Sequence, residues 1–264
     1  VIVGIPQIVI LALVDGVADI LPIDSSGHGL LVGRFLGASP PGAVALVHLA
    51  AGLALAAFLW RDVALAVQGL WRLRRRRLEP GTYLVGKIAL ACLPCIIVAA
   101  WYETMAPLVY SSPTALGLTT LVCAGLMALV DRLCLTVKRI EHIGAGTSFA
   151  IGLAQVVAFI PGVGRTALAL TVARAFGLER PAAWHFVLLA NIAILISAGW
   201  REAAQSYGHG VVLGDGDILA GVLAFVLVLL AAQLADLWFK RNSLLPFAVF
   251  RVLVGGGLLA LGMR

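Results

Sequence analysis

The sequence predicts an all-α polytopic membrane protein, with six transmembrane helices and two re-entrant helical hairpins set in an inverted-topology repeat. Of its 264 residues, 61% are hydrophobic and 12% charged, and the mean hydropathy is +1.03, whereas a soluble domain carries about a quarter of its residues charged. Runs of Leu, Ala, Val and Gly lie between short polar breaks, and a membrane-spanning helix needs about 20 such residues. Apolar and polar residues do not alternate with the period of two that an outer-membrane barrel requires. The composition therefore excludes a soluble globular enzyme. The formal charge of +6 does not point to nucleic acid, because the basic residues cluster at the ends of apolar runs, where topology signals sit.

In chain order, residues 43–60, 84–102, 113–130, 182–200, 218–238 and 244–261 are hydrophobic runs long enough to span and read as spans. Residues 3–37 and 143–177 are apolar but interrupted by Pro, Gly, Ser and charged side chains. Such interruptions suit re-entrant helices whose exposed backbone lines a cavity. Residues 1–14 lack a basic flank and a cleavage site, so a removable signal is not expected there. Cys92, Cys95, Cys123 and Cys134 sit in or beside apolar runs and read as small buried hydrophobes; the Cys92-Leu93-Pro94-Cys95 spacing lacks a second pair.

The two interrupted stretches echo each other. Leu21-Pro22 and Gly33-Arg34-Phe35-Leu36-Gly37 recur as Ile160-Pro161 and Ala173-Arg174-Ala175-Phe176-Gly177, and Trp60-Arg61-Asp62 recurs as Trp200-Arg201-Glu202, at offsets of 139 or 140. Three spans separate the copies, so the second enters the membrane upside down. The single integral domain, 1–264, thus divides into repeats of about 1–131 and 143–264.

Polar residues inside this frame mark the candidate site. Asp15 and Asp19, four apart, share a helix face in an apolar setting. Each would cost about 3 kcal/mol to insert without a cation, a basic partner or water. Mg²⁺ or Ca²⁺ suits such oxygen ligands. Next comes Leu21-Pro22-Ile23-Asp24-Ser25-Ser26-Gly27-His28, where Pro22 and Gly27 interrupt the helix and free N–H groups and hydroxyls for an anion. His28 stands three residues past Ser25, a spacing that lets an imidazole reach a hydroxyl. Ser and Asp are also ordinary helix N-caps. The second break, Pro161-Gly162-Val163-Gly164-Arg165-Thr166, places a guanidinium beside a glycine turn, where it can fork onto phosphate oxygens or else snorkel to the interface. Phosphate-binding candidates are Ser26, Gly27, Gly164, Arg165 and Thr166; Gln155, Asp24 and Arg251 are further polar residues without an assigned role.

Taken together, Asp15-Gly16-x-x-Asp19-x-Leu21-Pro22-Ile23-x-Ser25-Ser26-Gly27-His28, Pro161-Gly162-x-x-Arg165 and Leu245-Pro246-Phe247-Ala248-x-x-Arg251 resemble the bacterial undecaprenyl-diphosphate phosphatase family of the bacitracin-resistance type. The resemblance extends in order over nearly the whole chain, including His48-Leu49-Ala50 and Trp60-Arg61. It implies an integral enzyme of the bacterial plasma membrane that removes the terminal phosphate of a polyprenyl diphosphate on the extracytoplasmic side, recycling the lipid carrier for cell-wall polymers. It also implies catalytic Ser25, His28 and Arg165, and a divalent cation on Asp15 and Asp19. The chain departs from the family pattern where both family glutamates are aspartates, the first serine of a Ser-Ser-Ser run is Asp24, and Ser-Arg-Ser-Gly is Gly164-Arg165-Thr166-Ala167. A water nucleophile fits the same residues as Ser25 does. A lipid-phosphate flippase or transporter is the alternative, since inverted repeats with broken helices build carriers. Expected partners are the polyprenyl diphosphate and membrane lipids, without nucleic acid; a homodimer is compatible with the sequence.

The basic loops set the orientation. Arg72 and Arg74 to Arg77, Lys138 with Arg139, and Lys240 with Arg241 fall on one side of the six-span frame, which the positive-inside rule makes cytoplasmic. In a variant stripped of its native cysteines, cysteine at position 75, 138 or 241 should resist impermeant thiol reagents in intact cells, and cysteine at 111 or 207 should label. Labelling at 75 from outside would reverse the orientation.

Overall fold

The computed structural model describes residues 5–25, 28–29, 40–74, 79–105, 112–134, 136–210 and 212–262. Among these the chain is helical, with one isolated bridge between Lys138 and Leu178 and no strand. Helix α1 (Ile5–Leu11) runs through a π-helical stretch (Ala12–Val17) into α2 (Ala18–Ile20). Then come α3 (Pro41–Phe58), α4 (Trp60–Leu73), α5 (Pro80–Met105), α6 (Pro113–Leu133), α7 (Ala145–Val157), α8 (Arg165–Ala175), α9 (Arg180–Gly208), α10 (Asp215–Phe239) and α11 (Leu245–Gly262).

Six helices, α3, α5, α6, α9, α10 and α11, are long and apolar enough to cross a membrane. The chain is a multi-pass membrane protein, and each helix falls within a few residues of an expected span, apart from one extension. Proline helps begin several of them: Pro41, Pro113 and Pro181 stand in first turns, where the missing N–H costs nothing. Ser112 caps α6 by accepting from Ala115 N at 3.1 Å. The extension belongs to α9, which passes Trp200 and continues to Gly208 because no breaker precedes the Gly208-His209-Gly210 turn. After α3 the backbone instead turns at Leu59 (φ −100°, ψ 31°), and α4 follows as a separate amphipathic helix.

Helices α7 and α8 have 13 and 11 residues, so each rises roughly 20 Å or less against a hydrocarbon core of about 30 Å. Neither crosses alone. In the first half, residues 30–39, which carry Arg34 and its glycines, lie outside the described residues, as do Ser26 and Gly27.

Small residues set the packing, because lipid tails are as apolar as leucine and give helices little hydrophobic reason to associate. Helix α9 forms the centre, with Trp184, Phe186, Val187, Leu188 and Leu195 fully buried. It meets α3 where a Cβ on Gly199 would stand 2.7 Å from Leu49 and 2.8 Å from Ala45 O. Helices α6 and α11 approach through Gly117 and Gly255, and α5 and α7 through Gly152, whose Cβ would lie 2.5 Å from Leu90 O. Where α6 ends, Asp131 accepts from Arg174 Nε (2.9 Å), Arg180 Nε (2.9 Å) and Leu244 N (2.9 Å), so one buried carboxylate fastens α8, α9 and the start of α11. That commits Arg174, one of the repeat landmarks, to structure.

Gly199→Val should force α3 from α9 at a cost of about 1–3 kcal/mol, seen as a lower unfolding temperature in detergent. Gly256→Ala, where a Cβ meets nothing within 4 Å, should leave that temperature near wild type.

Candidate active site

The two helix breaks meet. The first turns at Leu21, where the backbone becomes extended (φ −77°, ψ 159°) ahead of Pro22. The second passes through Gly162 (φ +88°) and Gly164 (φ +74°), a left-handed conformation that disfavours any side chain. A Cβ on Gly164 would also lie 2.9 Å from Ile23 O and 2.8 Å from Arg251 Nη1, so glycine lets the two breaks touch through their backbones. Breaking a helix inside a membrane frees carbonyls that need donors. Arg251 supplies two, from Nη2 to Gly162 O (2.8 Å) and Val163 O (2.7 Å), and Thr119 Oγ1 donates to Pro161 O at 2.6 Å.

Across this junction Arg165 Nη2 pairs with Asp19 Oδ2, and Ser25 Oγ donates to Asp19 Oδ1 at 3.2 Å. Thr166 Oγ1 donates to Asp19 O at 2.7 Å and accepts from Asn191 Nδ2 at 2.9 Å, which ties both breaks to α9. A cavity of about 230 Å³ opens beside them, its polar wall made by Asp19, Asp24, Ser25, His48, Arg165, Arg201 and Glu202. Helix α8 starts at this wall with Gly164 as its N-cap and no side-chain cap, so its first N–H groups are available to an anion.

The expected residues divide. Ser25, Asp19, Asp24, Gly164, Arg165 and Gln155 line the cavity. Thr166 is not among the lining residues: its buried hydroxyl donates to Asp19 O and accepts from Asn191, bridging the breaks. Arg251 is buried, holds the second break and lies within electrostatic reach of Asp24. Gln155 Nε2 donates to Ala91 O at 3.0 Å, joining α7 to α5. His28 is not among the residues lining this cavity: its Nδ1 donates to Asp24 O at 2.5 Å, and its ring stacks on Phe250 with centroids 5.5 Å apart. Asp15 sits one turn before Asp19, within electrostatic reach of Asp19, His48 and Glu202. Sequence spacing missed His48 and Glu202, which are 154 residues apart and joined at 2.7 Å between Nδ1 and Oε2. A histidine within an apolar run and an acid following Trp200-Arg201 were the available signals.

A family model described as the bacitracin resistance protein BacA matches residues 8–257. The chain belongs to this family. It is 36% identical to undecaprenyl-diphosphatase 1 of Rhodospirillum rubrum, an alignment covering 97% of this chain and 94% of that protein. It is 32% identical to undecaprenyl-diphosphatase 1 of Paramagnetospirillum magneticum, covering 97% and 96%. The undecaprenyl-diphosphatase of Micrococcus luteus is also 32% identical, with the same coverage.

For a bacitracin-resistance family member, the charge balance of the cavity bears on a cation. Asp19, Asp24 and Glu202 face two guanidiniums and one imidazole, with Asp15 close behind. A diphosphate brought here adds several negative charges. Among the described residues no three His, Cys, Asp or Glu side chains stand close enough to ligate one ion. Asp15 and Asp19 offer carboxylate oxygens, the ligand type a hard divalent cation such as magnesium takes when water and phosphate complete its shell.

Proposed function

We propose that this chain is an integral membrane phosphatase that hydrolyses undecaprenyl diphosphate to the monophosphate, recycling the lipid carrier of cell-wall synthesis, with its active site between two opposed re-entrant hairpins. The observation that carries this reading is the meeting of Ser25, Asp19 and Arg165 in one cavity inside an apolar bundle. The basic loops support a site that faces the extracytoplasmic side of the plasma membrane. The repeat offset supports hairpins entering from opposite faces. Every residue invoked comes from a single chain, so the site is complete whether or not the protein forms a homodimer.

Arg165 and the N-terminus of α8 bind the terminal phosphate, a planar fork and free N–H groups being suited to its oxygens. Ser25 Oγ attacks the terminal phosphorus, the bond to the bridging oxygen breaks, and the lipid monophosphate leaves; water then hydrolyses the phosphoserine. Ser25 Oγ donates to Asp19 Oδ1, which orients the hydroxyl. His28 handles protons one turn beyond: donating Nδ1–H to Asp24 O leaves Nε2 as the nitrogen for chemistry. Arg165 stabilises the charge that develops on phosphorus-bound oxygens. Mg²⁺ or Ca²⁺, held by Asp15 and Asp19, would supply the positive charge the acidic wall lacks.

Purified protein in detergent should release inorganic phosphate from undecaprenyl diphosphate. Ser25→Ala should lower that release by several orders of magnitude while still binding the lipid. Arg165→Lys should also be poor, keeping the charge but losing the fork, and chelator should silence the wild type. Lipid binding without phosphate release by the wild-type protein would make the chain a carrier and overturn the reading.

A further inference from the structure

A second cavity, of about 540 Å³, lies between α5 and α9. It shares Ile96, Ser197 and Arg201 with the polar cavity, so the two adjoin. Away from that shared edge its walls are apolar: Ala100 on α5 faces Ala193, Ile196 and Trp200 on α9. Small alanines on both helices leave a groove where larger side chains would fill the space. The nearby surfaces of the same helices carry Ile97, Trp101 and Trp200, all more than half exposed, as lipid-facing residues are. Other described cavities are not so placed. The one bordered by Pro41, Val44 and Gln205 touches the site only through Glu202, and the one beside Asp131, Arg132 and Arg180 shares no residue with it.

We propose that this groove between α5 and α9 seats the first isoprenoid units of the substrate's tail while the diphosphate occupies the polar cavity, with Arg201 and Ser197 at the junction of head and tail. The inference rests on the hydrolase reading and adds the route by which its substrate enters. A polyprenyl diphosphate is a charged head joined to a branched hydrocarbon through one ester oxygen. A polar chamber opening sideways into an apolar slot matches that shape, and admits the lipid laterally without lifting its tail from the bilayer. Lipid is as apolar as the groove, so what the groove adds is fit to the branched chain, not transfer out of water.

Ala100→Trp and Ile196→Trp fill the groove from opposite sides at exposed positions. Each should raise KM for undecaprenyl diphosphate about tenfold, the scale at which hydrophobic pockets discriminate, and leave kcat within about threefold. Leu129→Trp, on the lipid-facing surface of α6, should match wild type. A photoreactive benzoylphenylalanine in place of Ile196 should cross-link to the lipid, and one in place of Leu129 should not. Wild-type KM in both groove variants, or absence of the cross-link at 196, overturns the groove. A wild-type protein that cross-links at 196 but releases no phosphate upholds the groove and sinks the hydrolase reading.

Discussion

The structure depends on one ion pair, between Asp19 of the first half of the chain and Arg165 of the second. Both side chains are largely withdrawn from the surface of a bundle that is otherwise Leu, Ala, Val and Gly. Burying two charges costs more than their attraction returns unless neighbouring hydrogen bonds complete them. Here the carboxylate is completed: Asp19 accepts from Ser25 and, through its backbone, from Thr166, which Asn191 of the central helix holds in turn, while Arg165 Nε is buried with no hydrogen-bond partner among the described residues. Stability alone does not explain such an arrangement, since apolar residues of similar volume would pack as well. The proposed function does, because the pair sets the hydroxyl of Ser25 and the fork of Arg165 against the same cavity, and residues of both halves of the chain line that cavity.

A second constraint follows from the solvent. Lipid offers no hydrogen bonds, so each break in a helix must be repaired by protein. Gly162 and Gly164 let the second break turn tightly enough to meet the first, and Arg251 and Thr119 satisfy the carbonyls released. The carbonyl-binding arginine from α11 thus shapes the candidate site without lining it. Substitutions at Arg251 would act on the shape of the break before they acted on chemistry.

Much of this was legible in the sequence. Hydropathy located all six spans, within a few residues apart from the extension of α9 to Gly208, because a bilayer imposes a length and a composition on each. The breaks at 21–28 and 161–166 were visible as Pro, Gly and charged residues where none should be, and Asp19, Ser25 and Arg165 do meet. What escaped was pairing across long separations. His48 and Glu202 lie on different spans, and only the antiparallel packing of α3 on α9 through Gly199 brings them together. Thr166 stands out in the sequence for its place beside Arg165 in the second break, and a helical step of about 100° turns its hydroxyl toward Asn191. The separate helix at 60–73 escaped because a continuous run through Trp60 hides the change of direction at Leu59.

The claim that the Asp19–Arg165 pair joins the halves is tested most directly by a thermal-unfolding double-mutant cycle of Asp19→Asn and Arg165→Gln in detergent. Either single change strands a charge in the bundle, so each should lower the unfolding temperature strongly, and the double variant should melt no lower than the worse of the two. Shifts that simply add would show the two residues to be independent, and would contradict a structure organised around their contact.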